Sequence, residues 1–322
     1  MQLEAIDKAG TMQGFVLVKT CERKNAKNGS VYLDLTINDG ENDINAKIWD
    51  FKGTPAEQPQ PNTLIRVRGT LSTYNNQNQF KIDRYRPVTE ADNVNMADYI
   101  PSAKFSGDYM FDEINSIIAS FKDEQLKKLA NGVLEKYKDK IFDLPAAYRL
   151  HHAVRGGLLM HTLSICRLAE CVASVYPSVD RDLLLCGAIL HDVAKSEEFN
   201  LSPTGLVDSY TVSGTLIGHL VKGAMIIEET GKELEIDENT LMLVEHMLIS
   251  HHGIPEYGAA VRPLFLEAEI LSALDTLDAD IYEIENVVKG VESGAFTNKV
   301  WALDDRKFYN HGRKKTDTEV NL

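Results

Sequence analysis

The first 150 residues contain no histidine, although the 322-residue chain holds nine. An imidazole-based centre is therefore excluded from that stretch. Cysteine is scarce as well: Cys21, Cys166, Cys171 and Cys186 show no C-x-x-C spacing and read as reduced core residues. No stretch reaches the roughly 18 apolar residues of a membrane span, and the opening MQLEAIDKAG has neither a basic start nor an apolar run. The expectation is a soluble, cytoplasmic protein with no membrane partner. No internal repeat is visible.

Positive charge is also short, since 34 Lys+Arg against 48 Asp+Glu leave a net charge of −14. The shortfall is regional. Residues 1–95 hold 12 of each sign, whereas residues 96–322 hold 22 basic and 36 acidic side chains. Bound divalent cations would offset part of that acidic excess, so charge alone neither supports nor excludes nucleic acid.

From about Gly14 to Val88 apolar residues alternate in period two, the signal of half-buried strands. In VYLDLTI, Val31, Leu33, Leu35 and Ile37 face one way, and INAKIW sends Ile44, Ala46 and Ile48 inward; Asn38-Asp39-Gly40 is the turn between them. With GFVLVKTCER, LIRVRGTLSTY and QFKIDRYRPV, the pattern predicts five short strands closed into a small barrel of the OB type. Its outer faces offer Tyr32, Lys47, Trp49, Arg66, Arg68, Tyr74, Arg84 and Arg86. Aromatic faces and cations are what such barrels use to hold single-stranded nucleic acid. The same residues also suit core-capping aromatics and solvated arginines, and barrels of this type bind sugars or proteins too.

Residues 91–110 are polar, contain Pro101 and Gly107, and read as a linker between a domain over 1–90 and a second over 111–311. In the second domain the apolar spacing turns helical and predicts six or seven helices. The polar tail, 312–322, is expected to be disordered. The fold class is thus multi-domain α+β, a five-stranded barrel followed by an all-α domain.

Eight of the nine histidines fall between His151 and His252. His161, the adjacent His191-Asp192, His219, the pair His251-His252 and then Asp275 recur at helix-plus-loop intervals, as if successive helices delivered ligands to one centre. Imidazole and carboxylate together suit borderline divalent metals. Asp192, with two oxygens, can bridge two of them.

This order resembles the HD-domain superfamily of metal-dependent phosphohydrolases, whose two-metal members run H, HD, H, HH, D. The resemblance implies one ion on His161, His191, Asp192 and Asp275, and a second on Asp192, His219 and one or both of His251 and His252. Manganese is favoured, with cobalt, iron, nickel, zinc and magnesium as alternatives. Lys195, one turn beyond Asp192 in HDVAK, matches the family's lysine and is expected to offset charge developing on a phosphate; Asp192 and Lys195 are therefore the expected catalytic pair. Asp278, one turn from Asp275, is the alternative final ligand. His246 lies five residues before His251 and should point away from the centre. With His151, His152, Asp278 and Glu267 it is a candidate for supporting the ligands from behind, and each of the three histidines and Glu267 equally suits a structural or solvated role.

Taken together, the barrel, HHAVRGGLLMHT, LHDVAK, GHL, ISHHG, LDTLDA and the closing FTNKVWALDDRKFY resemble the YhaM-type 3'-5' exoribonuclease family over roughly residues 10–310. Met160 stands where that family often has an acidic residue, and Ser272-Ala273 where it has a His-aromatic pair. The resemblance implies release of nucleoside monophosphates from the 3' end of single-stranded RNA, with single-stranded DNA also accepted. A homo-oligomer is expected. Two other readings stay open: a phosphohydrolase of small or cyclic nucleotides whose barrel is regulatory, and a non-catalytic nucleic-acid-binding protein.

Overall fold

The computed structural model describes residues 3–6, 10–40, 42–74, 77–95, 98–148 and 152–313. Contacts divide the chain into two units, Met1–Ser102 with Leu201–Asp208, and Ala103–Asn200 with Ser209–Leu322. His151 and residues 314–322 of the expected tail lie outside the described residues.

In the first unit the alternating apolar residues form β1 (Glu4–Ala5), β2 (Thr11–Asn25), β3 (Val31–Asn38), β4 (Asp43–Ile48), β5 (Thr63–Tyr74) and β6 (Gln77–Pro87). Their order is β1-β2-β3-β4-β6-β5, and β5 also pairs with β2, so β2 to β6 close into a five-stranded OB-type barrel. Every pairing is antiparallel except β4 with β6. Val16, Val18, Leu33, Leu35, Ile37, Ala46, Val67 and Phe80 fill the interior at 1 % exposure or less, which the period-two pattern dictates because successive side chains point to opposite faces. The short β1 is an addition to the five predicted strands; its two residues carry no alternation to read. Ile100 packs with Leu17, Leu64 and Leu206 in a smaller cluster on the barrel, so the segment read as a linker is partly built into this unit.

The second unit holds α1 (Gly107–Ala119), α2 (Glu124–Ile141), α3 (Gly157–Val175), α4 (Arg181–Leu190), α5 (Lys195–Glu198), α6 (Val212–Leu216), α7 (Gly218–Glu233), α8 (Glu238–Ser250) and α9 (Leu266–Lys289). Between α5 and α6 the chain forms the hairpin strands β7 (Phe199–Leu201) and β8 (Val207–Tyr210), of which Leu201–Asp208 belongs to the first unit. Asp123, Asp180 and Asp237 cap α2, α4 and α8 by accepting amide hydrogens of the first turn, satisfying donors that the helix itself leaves open. One apolar core runs through α1 to α4 and α7 to α9, with Ile114, Ile165, Leu184, Val244 and Leu271 fully enclosed. Helix α3, 19 residues with a mean hydropathy of 1.4, is long and apolar enough by composition to cross a membrane; its apolar residues here enter that core and it carries His161.

Three features depart from the sequence expectation. GTLIGHLVKGAMIIEETGKEL was read as one helix but breaks at Gly218, whose φ of 74° only glycine adopts at little cost. The β7–β8 hairpin was not expected at all. Of the four thiols, Cys166 and Cys186 are buried, whereas Cys171 is exposed and Cys21 half-buried; all four are unpaired.

The core and the caps differ in what their loss should cost. Leu184→Ala leaves a cavity among α3, α4 and their neighbours and is expected to lower stability by about 2–5 kcal/mol. Asp123→Ala removes only a cap and is expected to cost about 1 kcal/mol. Denaturant unfolding of both variants checks the ranking, which the reverse order would contradict.

Candidate metal centre and nucleic-acid face

Two of the ligand-type histidines sit where a helix ends. His191 and His251 are the C-caps of α4 and α8, and each donates its Nδ1 hydrogen to a carbonyl three residues back, Ala188 at 2.8 Å and Leu248 at 2.7 Å. These are carbonyls that a terminating helix leaves without an internal partner. The bond uses one ring nitrogen and aims the other, Nε2, beyond the helix end. His252 repeats the device, with Nδ1 on the Tyr257 carbonyl at 2.7 Å.

The other two use carboxylates. His161, one turn from the start of α3, gives Nδ1 to Asp278 at 2.7 Å, and His219 at the start of α7 gives Nδ1 to Glu198 at 3.0 Å. Glu198 also accepts the His219 backbone amide at 3.2 Å. All five rings therefore donate from the outer nitrogen, the arrangement that turns the inner nitrogen toward the centre as a ligand; His161 Nε2 in turn meets Asp275 Oδ1 at 3.1 Å and His191 Nε2 at 3.3 Å.

The inner nitrogens meet at Asp192, 2 % exposed. Its Oδ2 lies 3.3 Å from His191 Nε2 and 3.7 Å from His161 Nε2, and Asp275 Oδ1 stands 3.1 Å from the same His161 nitrogen. Its Oδ1 faces the other way, 3.4 Å from His219 Nε2 and 3.7 Å from His251 Nε2. His219, His251 and His252 bring one ring nitrogen each within 4.8 Å of one another. The two carboxylate oxygens thus serve two separate donor sets.

Asp192 Oδ1, His219 Nε2 and His251 Nε2 are buried and have no hydrogen-bond partner. Leaving one such atom unpaired costs about 1–3 kcal/mol, and three converging on one point are what a cation would satisfy. The donor set, imidazole and carboxylate, fits a borderline divalent ion.

The electrostatics agree. Burial works against the Asp192 carboxylate, but Lys195 and His191 outweigh it and hold the group well below its ordinary range. Lys195 Nζ lies 2.6 Å from Asp192 Oδ2; burial disfavours its charge, yet Asp192 raises it above an ordinary lysine. Burial pushes His251 well down, keeping it neutral. His161 is the exception, because Asp275 and Asp278 overcome burial and raise it to about 9.

The predicted residues distribute clearly. His161, His191, Asp192, His219, His251, His252, Asp275 and Lys195 come together. Asp275 takes the inward position and Asp278 the outward one, where it also accepts from His152 at 2.8 Å. The supporting role considered for Glu267 and for His246 is corrected. Glu267 supports no ligand: it accepts the Asp180 amide at 2.7 Å and braces the start of α4. His246 faces away, accepting from the Leu264 amide at 3.0 Å and lying against Phe265. Glu198 was missed, although it follows Lys195 by three residues on the same short helix.

On the barrel, Tyr32 and Trp49 stack with ring centroids 4.7 Å apart, and Lys47 lies 5.0 Å from the Tyr32 ring centre. Trp49 is 41 % exposed. Arg66 and Arg86 are drawn to Asp92, at 3.7 and 2.5 Å, so the solvated or paired reading fits them better than a free cationic face. Arg68 and Arg84 are exposed cross-strand partners. The Tyr74 side chain lies outside the described residues.

A family model described as HD domain matches residues 158–280, the stretch that holds every inward-facing ligand. The chain is 37 % identical over 303 residues to a 3'-5' exoribonuclease YhaM of Listeria welshimeri, covering 93 % of this chain and 95 % of that protein. The chain belongs to the YhaM family of 3'-5' exoribonucleases. A second YhaM relative, from Bacillus subtilis, is 35 % identical over 295 residues, 92 % of this chain and 93 % of its own. A solved replication protein A heterotrimer bound to ssDNA aligns with 26 % of this chain and 62 % of its own, at 21 % identity and a TM-score of 0.22.

Membership in this family makes the centre divalent-metal dependent, and two outcomes follow. A cation must displace the proton on His161 Nε2 beside Asp275 Oδ1, so manganese affinity is expected to rise about tenfold per pH unit as pH climbs toward about 9; titration calorimetry across pH checks this, and a flat profile contradicts it. Glu198→Gln weakens the hold on His219 and is expected to lower metal affinity about 10- to 100-fold. His246→Ala should leave it unchanged in the same assay.

Proposed function

We propose that the chain hydrolyses single-stranded RNA from its 3' end, releasing nucleoside monophosphates at a centre of two divalent ions bridged by Asp192, with manganese the favoured ion. One observation carries this reading: the two oxygens of Asp192 face two distinct sets of inward imidazole nitrogens. A carboxylate that served a single ion would not need the second set.

Divalent ions held here supply Lewis acidity, both to generate a nucleophile from water and to neutralise the phosphate. The chain's own groups do the rest. Lys195 lines the cavity above the centre with its ammonium fixed against Asp192, so a cation already stands where charge grows on a phosphate oxygen. Glu198, Asp278 and the three backbone carbonyls hold the imidazoles in one orientation, so no reorganisation is required during reaction. The cavity, of about 790 Å³, opens over Lys195, His219, His252 and Asp275 and is of the size that encloses a small ligand. On the barrel, Tyr32 and Trp49 offer stacked rings beside Lys47, whose ammonium is paired with Asp34 at 3.0 Å, and stacked rings suit capture of an unpaired strand without regard to sequence.

Purified protein with manganese should shorten a 3'-hydroxyl single-stranded RNA stepwise from that end. Asp192→Ala should lose this activity by about a thousandfold or more, because Lewis-acid stabilisation is worth several kcal/mol, while its circular dichroism is unchanged. Wild type that ignores oligonucleotides but hydrolyses mononucleotides or cyclic dinucleotides would replace this reading with the small-nucleotide one. Trp49→Ala should raise KM for a long strand about tenfold, the worth of one base stack, with kcat unaltered.

A further inference from the structure

The cavity over the metal centre has a wall that the reaction scheme leaves without a task. Residues 296–309 form a strap closed by the bridges Phe296–Tyr309 and Val300–Arg306. Leu303, 2 % exposed, anchors it, and Thr297 ties its two arms together: its amide donates to the Phe308 carbonyl at 2.9 Å and its hydroxyl accepts the Phe308 amide at 3.0 Å. At the turn, Asp304 and Asp305 both take φ of 55°. Consecutive non-glycine residues in the left-handed region persist only where surrounding structure enforces them. Here Arg306 does so, donating Nε to the Leu303 carbonyl at 2.9 Å while its guanidinium faces Asp280 at 3.8 Å.

The pinned turn presents Trp301. It is 77 % exposed yet lines the cavity shared by Lys195, His219, His252 and Asp275. No ring contact among the described residues engages it. An indole exposed to water contributes little to the fold, and its large apolar face is instead available to a planar partner. A phosphodiester at the cavity floor brings its nucleoside into the same enclosed space. The partner with the right chemistry is therefore a nucleobase.

We propose that Trp301 stacks on the base of the 3'-terminal nucleotide and so seats the end of the strand for hydrolysis; this rests on the exoribonuclease reading above. Stacking needs no hydrogen-bond match, since every base has a π face, and it would let the enzyme pass through any sequence. The pinned backbone under Trp301 leaves only the side-chain rotamer to be ordered when the base arrives.

The test compares two RNA strands that differ only at the 3'-terminal nucleotide, one with its base and one abasic, for removal of that nucleotide by the full chain with manganese. Trp301→Ala should lower kcat/KM about tenfold or more on the base-bearing strand and leave the abasic strand at the wild-type rate; Trp301→Phe should restore most of the loss. Equal losses on both strands, or none on either, overturn the proposal. The indole can also be read directly. The chain has two tryptophans, so in Trp49→Phe the emission belongs to Trp301 alone, and adenosine monophosphate with manganese should quench it. Unquenched emission at nucleotide saturation, fixed by calorimetry, overturns the proposal. Wild type that shortens neither strand defeats the exoribonuclease reading instead, and the quenching still decides Trp301.

Discussion

Five hydrogen bonds on the outer nitrogens of His161, His191, His219, His251 and His252 set the terms for the rest of this structure. An imidazole has two chemically distinct nitrogens, and only the one without a proton binds a cation. Fixing the proton outward turns each ring into a directed donor. The consequence is a pocket around Asp192 in which, among the described residues, Asp192 Oδ1, His219 Nε2 and His251 Nε2 have no hydrogen-bond partner, at a cost of about 1–3 kcal/mol for each orphaned buried atom. A bound cation would relieve that cost, and the apolar core beneath holds the donors in place.

That core explains the economy of the layout. Two ligands come from the ends of α4 and α8, where a histidine gains its outer hydrogen bond from a carbonyl the helix cannot use. One comes from the start of α7, held by Glu198, and two from the inward faces of α3 and α9. Because these helices pack on one another through Leu184, Ile165, Val244 and Leu271, the five elements cannot drift independently. Rigid packing delivers the geometry, and the geometry delivers the chemistry.

Much of this was legible in residue order, and the reasons are physical. Period-two alternation reports on two faces of a strand, so the barrel interior could be named residue by residue. The spaced histidines and aspartates could be gathered because few other arrangements need so many buried donors on successive helices. Other features escaped. Glu198 looks like any helix carboxylate until the fold brings His219 against it. Glu267 carries the right chemistry but lies on the wrong side of α9, where it meets the Asp180 amide. The break at Gly218 could not be seen because apolar spacing continues across it; only the backbone angle reveals the change of direction. On the barrel, pairing of Arg66 and Arg86 with Asp92 depended on a turn that periodicity does not encode.

The central claim is that one carboxylate joins two cation sites. Electron paramagnetic resonance of the protein loaded with manganese tests it most directly, since two ions sharing Asp192 are magnetically coupled and isolated ions are not. The account predicts two manganese per chain with a coupled signal in the wild type, and in Asp192→Ala the loss of coupling together with at least one ion. A single uncoupled ion in the wild type, or a coupled pair that survives Asp192→Ala, would contradict it.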